Sequence, residues 1–339
     1  MQRSNSHIAI DIHAHAIIPQ SETIARTDPG WARANKLAAL ATGAESAEYN
    51  RKLMATVYRA KFAGVDSRLS AMDAMGIDVQ AVSLAPIYHY WADIELARKI
   101  VASANEGLAE LCARRPDRLV GLGMLSMQHP DLAVEQLDRA VRGLGLKGAI
   151  ISTAVNESEL ADPRYDPLWT KAEELDALIF MHPAGCPLGA RLAPYYLSNL
   201  IGNPADTTIA LAHLVFGGVF DRFPRLKLCA AHGGGYFPFY VSRFDHGWSV
   251  RPESHTSREL PSSYLRRIWF DSLVYSPEQL EFLVRRAGAS QVVIGTDYPF
   301  DMGVDDPLER LGAAAGLSEN DRLAIRGDNA ERILNLESK

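Results

Sequence analysis

The chain has 339 residues, a formal net charge of −6, 47% apolar and 22% charged residues. That is the composition of an ordinary globular protein able to bury a large core, and nothing in it suggests a nucleic-acid partner. No run approaches the roughly 18 apolar residues of a membrane span, and the N-terminal segment MQRSNSHIAIDIHAHAIIP lacks the long apolar stretch of a signal peptide.

Three cysteines, Cys112, Cys186 and Cys229, show no CxxC spacing. Cys112 (GLAELCARR) and Cys229 (LKLCAAH) read as buried thiols, which suits a reducing, cytoplasmic setting.

Eight short apolar runs read as strands, at residues 7–12, 79–84, 119–125, 146–151, 177–181, 226–231, 268–274 and 292–296. Amphipathic helical stretches such as 92–115 and 131–142 separate them. Near-continuous apolar strands alternating with helices predict a parallel sheet covered on both faces. Eight such units predict closure into a (β/α)₈ TIM barrel. An open doubly wound sheet is the alternative, but no glycine-rich phosphate loop follows the first run. Two inserts exceed ordinary loop length: residues 20–66 after the first strand and 183–225 after the fifth, both expected to carry helix. The first is expected to shape a pocket or a subunit contact. No second domain separates, so residues 1–339 read as one barrel domain.

The strongest local signal is Asp11-Ile12-His13-Ala14-His15. Side chains two apart on a strand share a face, so His13 and His15 can reach one ion. Two such histidines also occur solvated in loops. Repetition of the pattern decides: the fifth run ends at His182 (IFMHPAG), the sixth at His232 (LCAAHGGG) and the eighth at Asp297 (VIGTDYPF). The C-terminal ends of barrel strands converge on one mouth, where these residues would meet. Imidazole nitrogens with a carboxylate suit Zn²⁺, with Mn²⁺ the alternative. No organic cofactor is expected.

The pattern resembles the amidohydrolase superfamily, and within it aminocarboxymuconate-semialdehyde decarboxylase and its relatives. The likeness is densest over residues 203–248 (NPADTTIALAHLVFGGVFDRFPRLKLCAAHGGGYFPFYVSRFDHGW) and 292–303 (VVIGTDYPFDMG), and extends to RLSAMDAMGIDVQAVSLAP and LGLKGAII. The resemblance implies one divalent ion held by His13, His15, His182 and Asp297, with His232 as a non-ligand acid/base. The pKa class of histidine suits that role; a fourth histidine ligand is the alternative. Asp297 joins His232 as a candidate proton carrier. Binuclear relatives bridge two ions from the end of strand four, where this chain offers only Ser152 and Thr153, because Lys147 stands at the start of that run. A mononuclear site follows.

The same resemblance places Arg243 across a subunit interface, holding a substrate carboxylate in a neighbour's pocket, for which guanidinium is suited. It implies a homodimer or higher homo-oligomer. Phe300 and His89 join Arg243 as candidate substrate-binding residues, although packing is an equal reading for His89. Asp11 reads as a residue behind the ligands or a structural one, and His213 (IALAHLVF) as packed. The relatives' second carboxylate-binding arginine aligns with Thr56 here, with Arg51 and Arg59 out of register, and HPAG replaces their His-Pro-Trp. The pocket therefore differs from theirs. The expected activity is metal-dependent, non-oxidative decarboxylation of an unsaturated or aromatic carboxylic acid. Hydrolysis of a lactone or amide, or hydration, is the second reading, and a purely structural metal the third.

Overall fold

The strand register of this chain, described from a computed structural model covering residues 8–185 and 189–336, runs in sequence order around one parallel sheet. Cys186, His7 and with it the first residue of the expected first strand lie outside the described residues. The eight strands are Ile10–Ala16, Val79–Leu84, Leu119–Met124, Gly148–Ile151, Leu178–Met181, Lys227–Ala230, Trp269–Asp271 and Val292–Val293. Parallel bridges Asp11 to Ile294 and Ala14 to Tyr298 join the eighth to the first and close the barrel. Helices surround it, as expected of a (β/α)₈ barrel. No helix among the described residues is long and apolar enough to cross a membrane.

Two strands differ from the sequence reading in a way that bears on the site. The first continues through the HxH pair, because Ala14, His15 and Ala16 still pair with Val82, Ser83 and Leu84. The eighth stops at Val293, where a polar turn replaces the ladder. A two-stranded hairpin (Ala154–Val155 with Ser158–Glu159) after the fourth strand was not legible.

Alternation sorts the side chains. Ile10, Ile12, Ala81, Leu122, Ile150, Phe180, Cys229 and Val293 fill the interior, sealed below by Ala330 and Ile333 of the last helix, Asn329–Ile333, and by Leu334 just after it. Ala9, Ala14, Ala16 and Val82 face the helical layer. The helix Ile94–Ala113 shows why that layer forms: Asp93 caps it by accepting from the Leu96 amide, and Ala97, Ile100, Val101, Ala104, Leu108, Leu111 and Cys112 form one buried stripe. Each fully buried large aliphatic side chain is worth roughly 1.5–3 kcal/mol. Asn105 on this helix exchanges two hydrogen bonds with the Met124 backbone, at 3.0 and 2.7 Å, and so fixes the end of strand three. Cys112 and Cys229 are buried free thiols.

The inserts are helical. After strand one come Pro19–Ala25, Pro29–Thr42, Ala44–Leu53 and Arg59–Ala63; after strand five, short turns lead into Asn203–Phe216. Both lie beyond strand C-termini, over the mouth.

Candidate active site

The first strand slips register between Asp11 and Ala14. This bulge turns His13 and His15 into the barrel after Ile12, while Asp11 faces the outer wall. Asp11 therefore does not sit deeper on the histidine face, as simple alternation implies. Instead its carboxylate accepts from the His13 amide (2.9 Å), the Thr296 amide (3.1 Å), the Thr296 hydroxyl (2.7 Å) and Gln80 Nε2 (2.8 Å). It thus ties the bulge to the turn that carries Asp297. Burial pushes the Asp11 carboxyl up to about 6, against these hydrogen bonds. Behind it, the fully buried Arg68 donates to Gln80 Oε1 (2.7 Å) and to the His15 carbonyl (2.5 Å), and stacks over Tyr298.

Inside the barrel, the three histidines have their tautomers set by their partners. His13 Nδ1 lies 2.6 Å from Asp271 Oδ2, His15 Nδ1 3.2 Å from the Leu84 carbonyl, and His182 Nδ1 2.7 Å from the Pro183 carbonyl. Each of these oxygens only accepts, and the Ser83 hydroxyl, 3.0 Å from His15 Nδ1, donates its own hydrogen to the Ala14 carbonyl (3.2 Å), so each Nδ1 carries the hydrogen and each Nε2 presents a lone pair to an ion. The lone pairs converge. His13 Nε2 and His15 Nε2 are 3.1 Å apart, and Asp297 Oδ1 lies 3.2 and 3.1 Å from them. One ligand atom from each of His13, His15, His182 and Asp297 lies within 4.8 Å of the others. His182 Nε2 and Asp297 Oδ1 are buried without a hydrogen-bond partner. Four converging acceptors need a cation, and three imidazoles with one carboxylate fit a divalent ion.

The titration behaviour agrees. Burial, then the neighbouring histidines His232, His13 and His15, hold His182 well below the usual imidazole range. For His13, burial opposes the charge, but Asp297 and Asp271 outweigh it and raise the group to about 10. Burial pushes the Asp297 carboxyl up, but the positive charge of His13 and the adjacent His15 and His232 imidazoles outweigh it and hold the group well below the carboxylate range. A proton at His13 and a metal ion compete for the same lone pairs.

His232 stands beside this cluster and outside it. Its ring centroid is 4.9 Å from that of His182, its Nε2 lies 3.8 Å from Asp297 Oδ2, and its Nδ1 is buried and unpartnered. Both His232 (φ +55°) and Asp297 (φ +57°) occupy the left-handed region, where side chains are uncommon outside functional sites. At Gly235, φ is +62° and a Cβ would fall 2.1 Å from the Pro204 carbonyl, so this loop reaches the site only through glycine.

A cavity of about 200 Å³ opens beside the cluster, and His182, His232, Asp297 and Phe300 line it. The Phe300 ring lies 5.4 Å from that of His15. His89 lines a separate, smaller cavity instead, packed between Trp31 and Trp91. Arg243 is exposed on the helix Phe237–Val250 and makes no hydrogen bond or ion pair among the described residues. His213 is exposed too, 3.6 Å from Glu159, because the buried stripe of its helix is Thr207, Ala210, Leu211, Leu214 and Val215. Thr153 at the end of strand four hydrogen-bonds Asp206, and Lys147 reaches the Asn335 carbonyl at the opposite barrel end.

Sequence reasoning passed over three supports of the site. Asp271 ends strand seven, holds His13, and accepts the amides of His232 (2.9 Å), Gly233 (2.8 Å) and Leu273 (3.1 Å). As the only charged residue in IWFDSLVY it bore the same signal as Asp297. Arg68 shares a buried helical stripe with Val65, Met72 and Met75, an arginine where the period demands an apolar residue. Tyr88 has its hydroxyl 3.0 Å from the Ile151 carbonyl and 3.1 Å from that of His182, and its position in an aromatic cluster gave no such indication.

Comparison with known proteins accords with this geometry. The amidohydrolase family model matches residues 10–336. A 2-amino-3-carboxymuconate-6-semialdehyde decarboxylase of Dictyostelium discoideum is 36% identical over 275 residues, covering 80% of this chain and 77% of its own. A gamma-resorcylate decarboxylase of Rhizobium radiobacter is 30% identical over 289 residues, covering 81% and 88%. The fold matches the crystal structure of a dihydroxybenzoic acid decarboxylase from Polaromonas sp. JS666, with manganese and 2-nitroresorcinol bound, at a TM-score of 0.78, 24% identity and 98% coverage of both chains. Of the two catalytic readings, decarboxylation is the activity these relatives carry. The chain belongs to the amidohydrolase family, and both of these sequence relatives are named decarboxylases.

Proposed function

We propose that the cavity takes one unsaturated or aromatic carboxylic acid and that His232, paired with Asp297, supplies the proton that replaces its carboxylate. The observation that carries this is the position of His232: inside the cavity, beside the ligand cluster yet not part of it, with a buried nitrogen that has no partner. A histidine so placed can deliver a proton to a substrate carbon held in the cavity.

When bound by His13, His15, His182 and Asp297, a divalent ion supplies Lewis-acid polarisation of a substrate oxygen. Zinc is our first assignment from the donor set; manganese, which the Polaromonas protein holds, is the alternative. The chain's own residues do the rest. His232 or Asp297 delivers a proton to the carbon bearing the carboxylate, making that carbon tetrahedral. The bond to the carboxylate carbon then breaks, its electron pair returns to the ring or alkene, and CO₂ leaves. One proton is consumed for each CO₂ released, and no oxidant or organic cofactor is required. Phe300 presents an apolar face to the substrate.

We further assign the whole chain to one barrel domain acting in the cytoplasm as a homodimer or larger homo-oligomer. Arg243, exposed and without a hydrogen-bond or ion-pair partner among the described residues, is assigned to a neighbour's pocket, where it would hold the substrate carboxylate.

The test is a panel of carboxylated catechols, resorcylates and muconate semialdehydes scored for CO₂, with lactones alongside. CO₂ release from a carboxylic acid and no lactone opening is the expected result. Lactone hydrolysis without CO₂ from any acid would return the chain to the hydrolase reading.

A further inference from the structure

Among the described residues, no lysine or arginine lines the cavity beside the metal cluster. Positions 186–188, which follow Gly185 in the sequence and lie outside the described residues, are Cys, Pro and Leu. Beyond the ligands and His232, the polar lining is neutral, with Asn50, Tyr196, Asn199 and Asn203 prominent, and one carboxylate, Asp301, stands at the rim. The first insert does not supply the missing cation. Arg51 is exposed and ion-paired to Glu48, Arg59 is exposed, and neither lines the cavity. Thr56 turns its hydroxyl back to the Lys52 carbonyl at 2.8 Å. Asp301 itself is held in place: its amide donates to the Tyr58 hydroxyl at 2.7 Å, and the Tyr58 and Phe62 rings pack on Phe300 at 5.9 and 5.3 Å.

We infer that this cavity selects a monocarboxylic acid whose other polar groups are hydroxyl or amino, and that Asp301 acts as a specificity residue against a second carboxylate. The inference rests on the decarboxylase reading and deepens it. Amide and phenol groups offer both donors and acceptors, the match for neutral hydroxyl and amino substituents. A second carboxylate entering here would lose water without gaining a cation and would meet the like charge of Asp301. The reacting carboxylate has the metal and Arg243 for partners; a second one has none. The cavity volume, about 200 Å³, is below the roughly 300–1,000 Å³ of pockets for drug-sized ligands, so one ring fits better than two.

The experiment uses the metal-loaded full chain and a matched pair, 2-hydroxybenzoate and 4-hydroxybenzene-1,3-dicarboxylate, which differ by one carboxylate. Binding is measured by calorimetry and CO₂ release in parallel. The monoacid should bind at least about tenfold tighter, and Asp301→Asn should narrow that gap by about threefold or more, through tighter binding of the diacid, as expected for a partly screened charge pair. Asp301→Glu should restore the gap. Equal or tighter binding of the diacid by the wild type overturns the inference, as does a gap that Asp301→Asn leaves unchanged. A diacid preference lost in Arg243→Ala also overturns it, because the neighbour would then supply the second cation. The two readings fail separately: the expected binding gap with no CO₂ from any acid sinks the decarboxylase reading, and CO₂ release without a gap sinks only the selectivity.

Discussion

Asp271 Oδ2 accepts from His13 Nδ1 at 2.6 Å, and through the same carboxylate from the backbone amides of His232 and Gly233. One buried side chain at the end of strand seven therefore orients a metal ligand and seats the proposed acid/base. Burial opposes its charge, yet the hydrogen bond and charge of His13 keep its pKa below the ordinary carboxylate value. Asp271→Asn is isosteric but forfeits that charge. Metal affinity should fall by roughly 10- to 100-fold, the usual worth of a partner behind a ligand, measured by competition against a chromophoric chelator. Turnover should stay depressed even at saturating metal, since His232 also loses its anchor. An affinity within threefold of wild type would deny Asp271 this role.

The cluster itself makes a sharper division. Elemental analysis should find about one divalent ion per chain, since His13, His15, His182 and Asp297 form the one group of this kind among the described residues. His182→Ala should lose the ion and all activity. His232→Ala should keep the ion and lose turnover by at least ~10²-fold, the usual contribution of a positioned acid/base. Loss of metal in the His232 variant would make it a ligand; two ions per chain would overturn the mononuclear assignment.

His89 offers a pH test away from the metal. Its burial between Trp31 and Trp91 lowers its pKa to about 4. In the unfolded chain it titrates near 6.5. Between those values the unfolded state binds the proton and the folded state does not, so stability falls as pH drops through this window and is unaffected above it. The loss amounts to something on the order of 2–3 kcal/mol by pH 4. Urea midpoints at pH 7 and pH 5, both with chelator, should show a steeper decline for wild type than for His89→Phe. Parallel declines would remove His89 from the acid response.

The barrel and the residues gathered at its mouth were legible because both are written in local periodicity, whereas the division of those residues into ligands and acid/base was implied by the family resemblance. Each strand is a short apolar run, and His182, His232 and Asp297 each end one. What escaped depends on contacts between strands. The bulge between Asp11 and Ala14 arises only when the first strand pairs with the second, and strict alternation without it would leave Asp11 on the histidine face. Arg68 was illegible for the same reason: its partners, Gln80 and the His15 carbonyl, lie 12 and 53 residues away. His89, a candidate pocket residue with packing as an equal reading, is packed, because the insert brings Trp31 against it.

The neighbour's role can be tested by complementation. Arg243 lies on the helix after strand six, is exposed, and finds no hydrogen-bond or ion-pair partner among the described residues, whereas His232 lines the cavity of its own chain. If Arg243 crosses a two-fold interface, each pocket of a dimer takes its histidine from one chain and its arginine from the other. An isologous interface repeats this exchange twice. Mix an Arg243→Ala chain with a His232→Ala chain. In the mixed dimer one pocket carries both lesions and the other carries neither. Two inactive homodimers should then regain activity after subunit exchange, up to about one quarter of the wild-type value for random pairing, because half the dimers are mixed and half their pockets are intact. Exchange itself can be followed by native mass spectrometry of size-tagged chains. If Arg243 serves its own pocket, every pocket keeps one lesion and activity stays absent. Proven exchange without recovery would therefore rule out the shared pocket and confine Arg243 to its own chain.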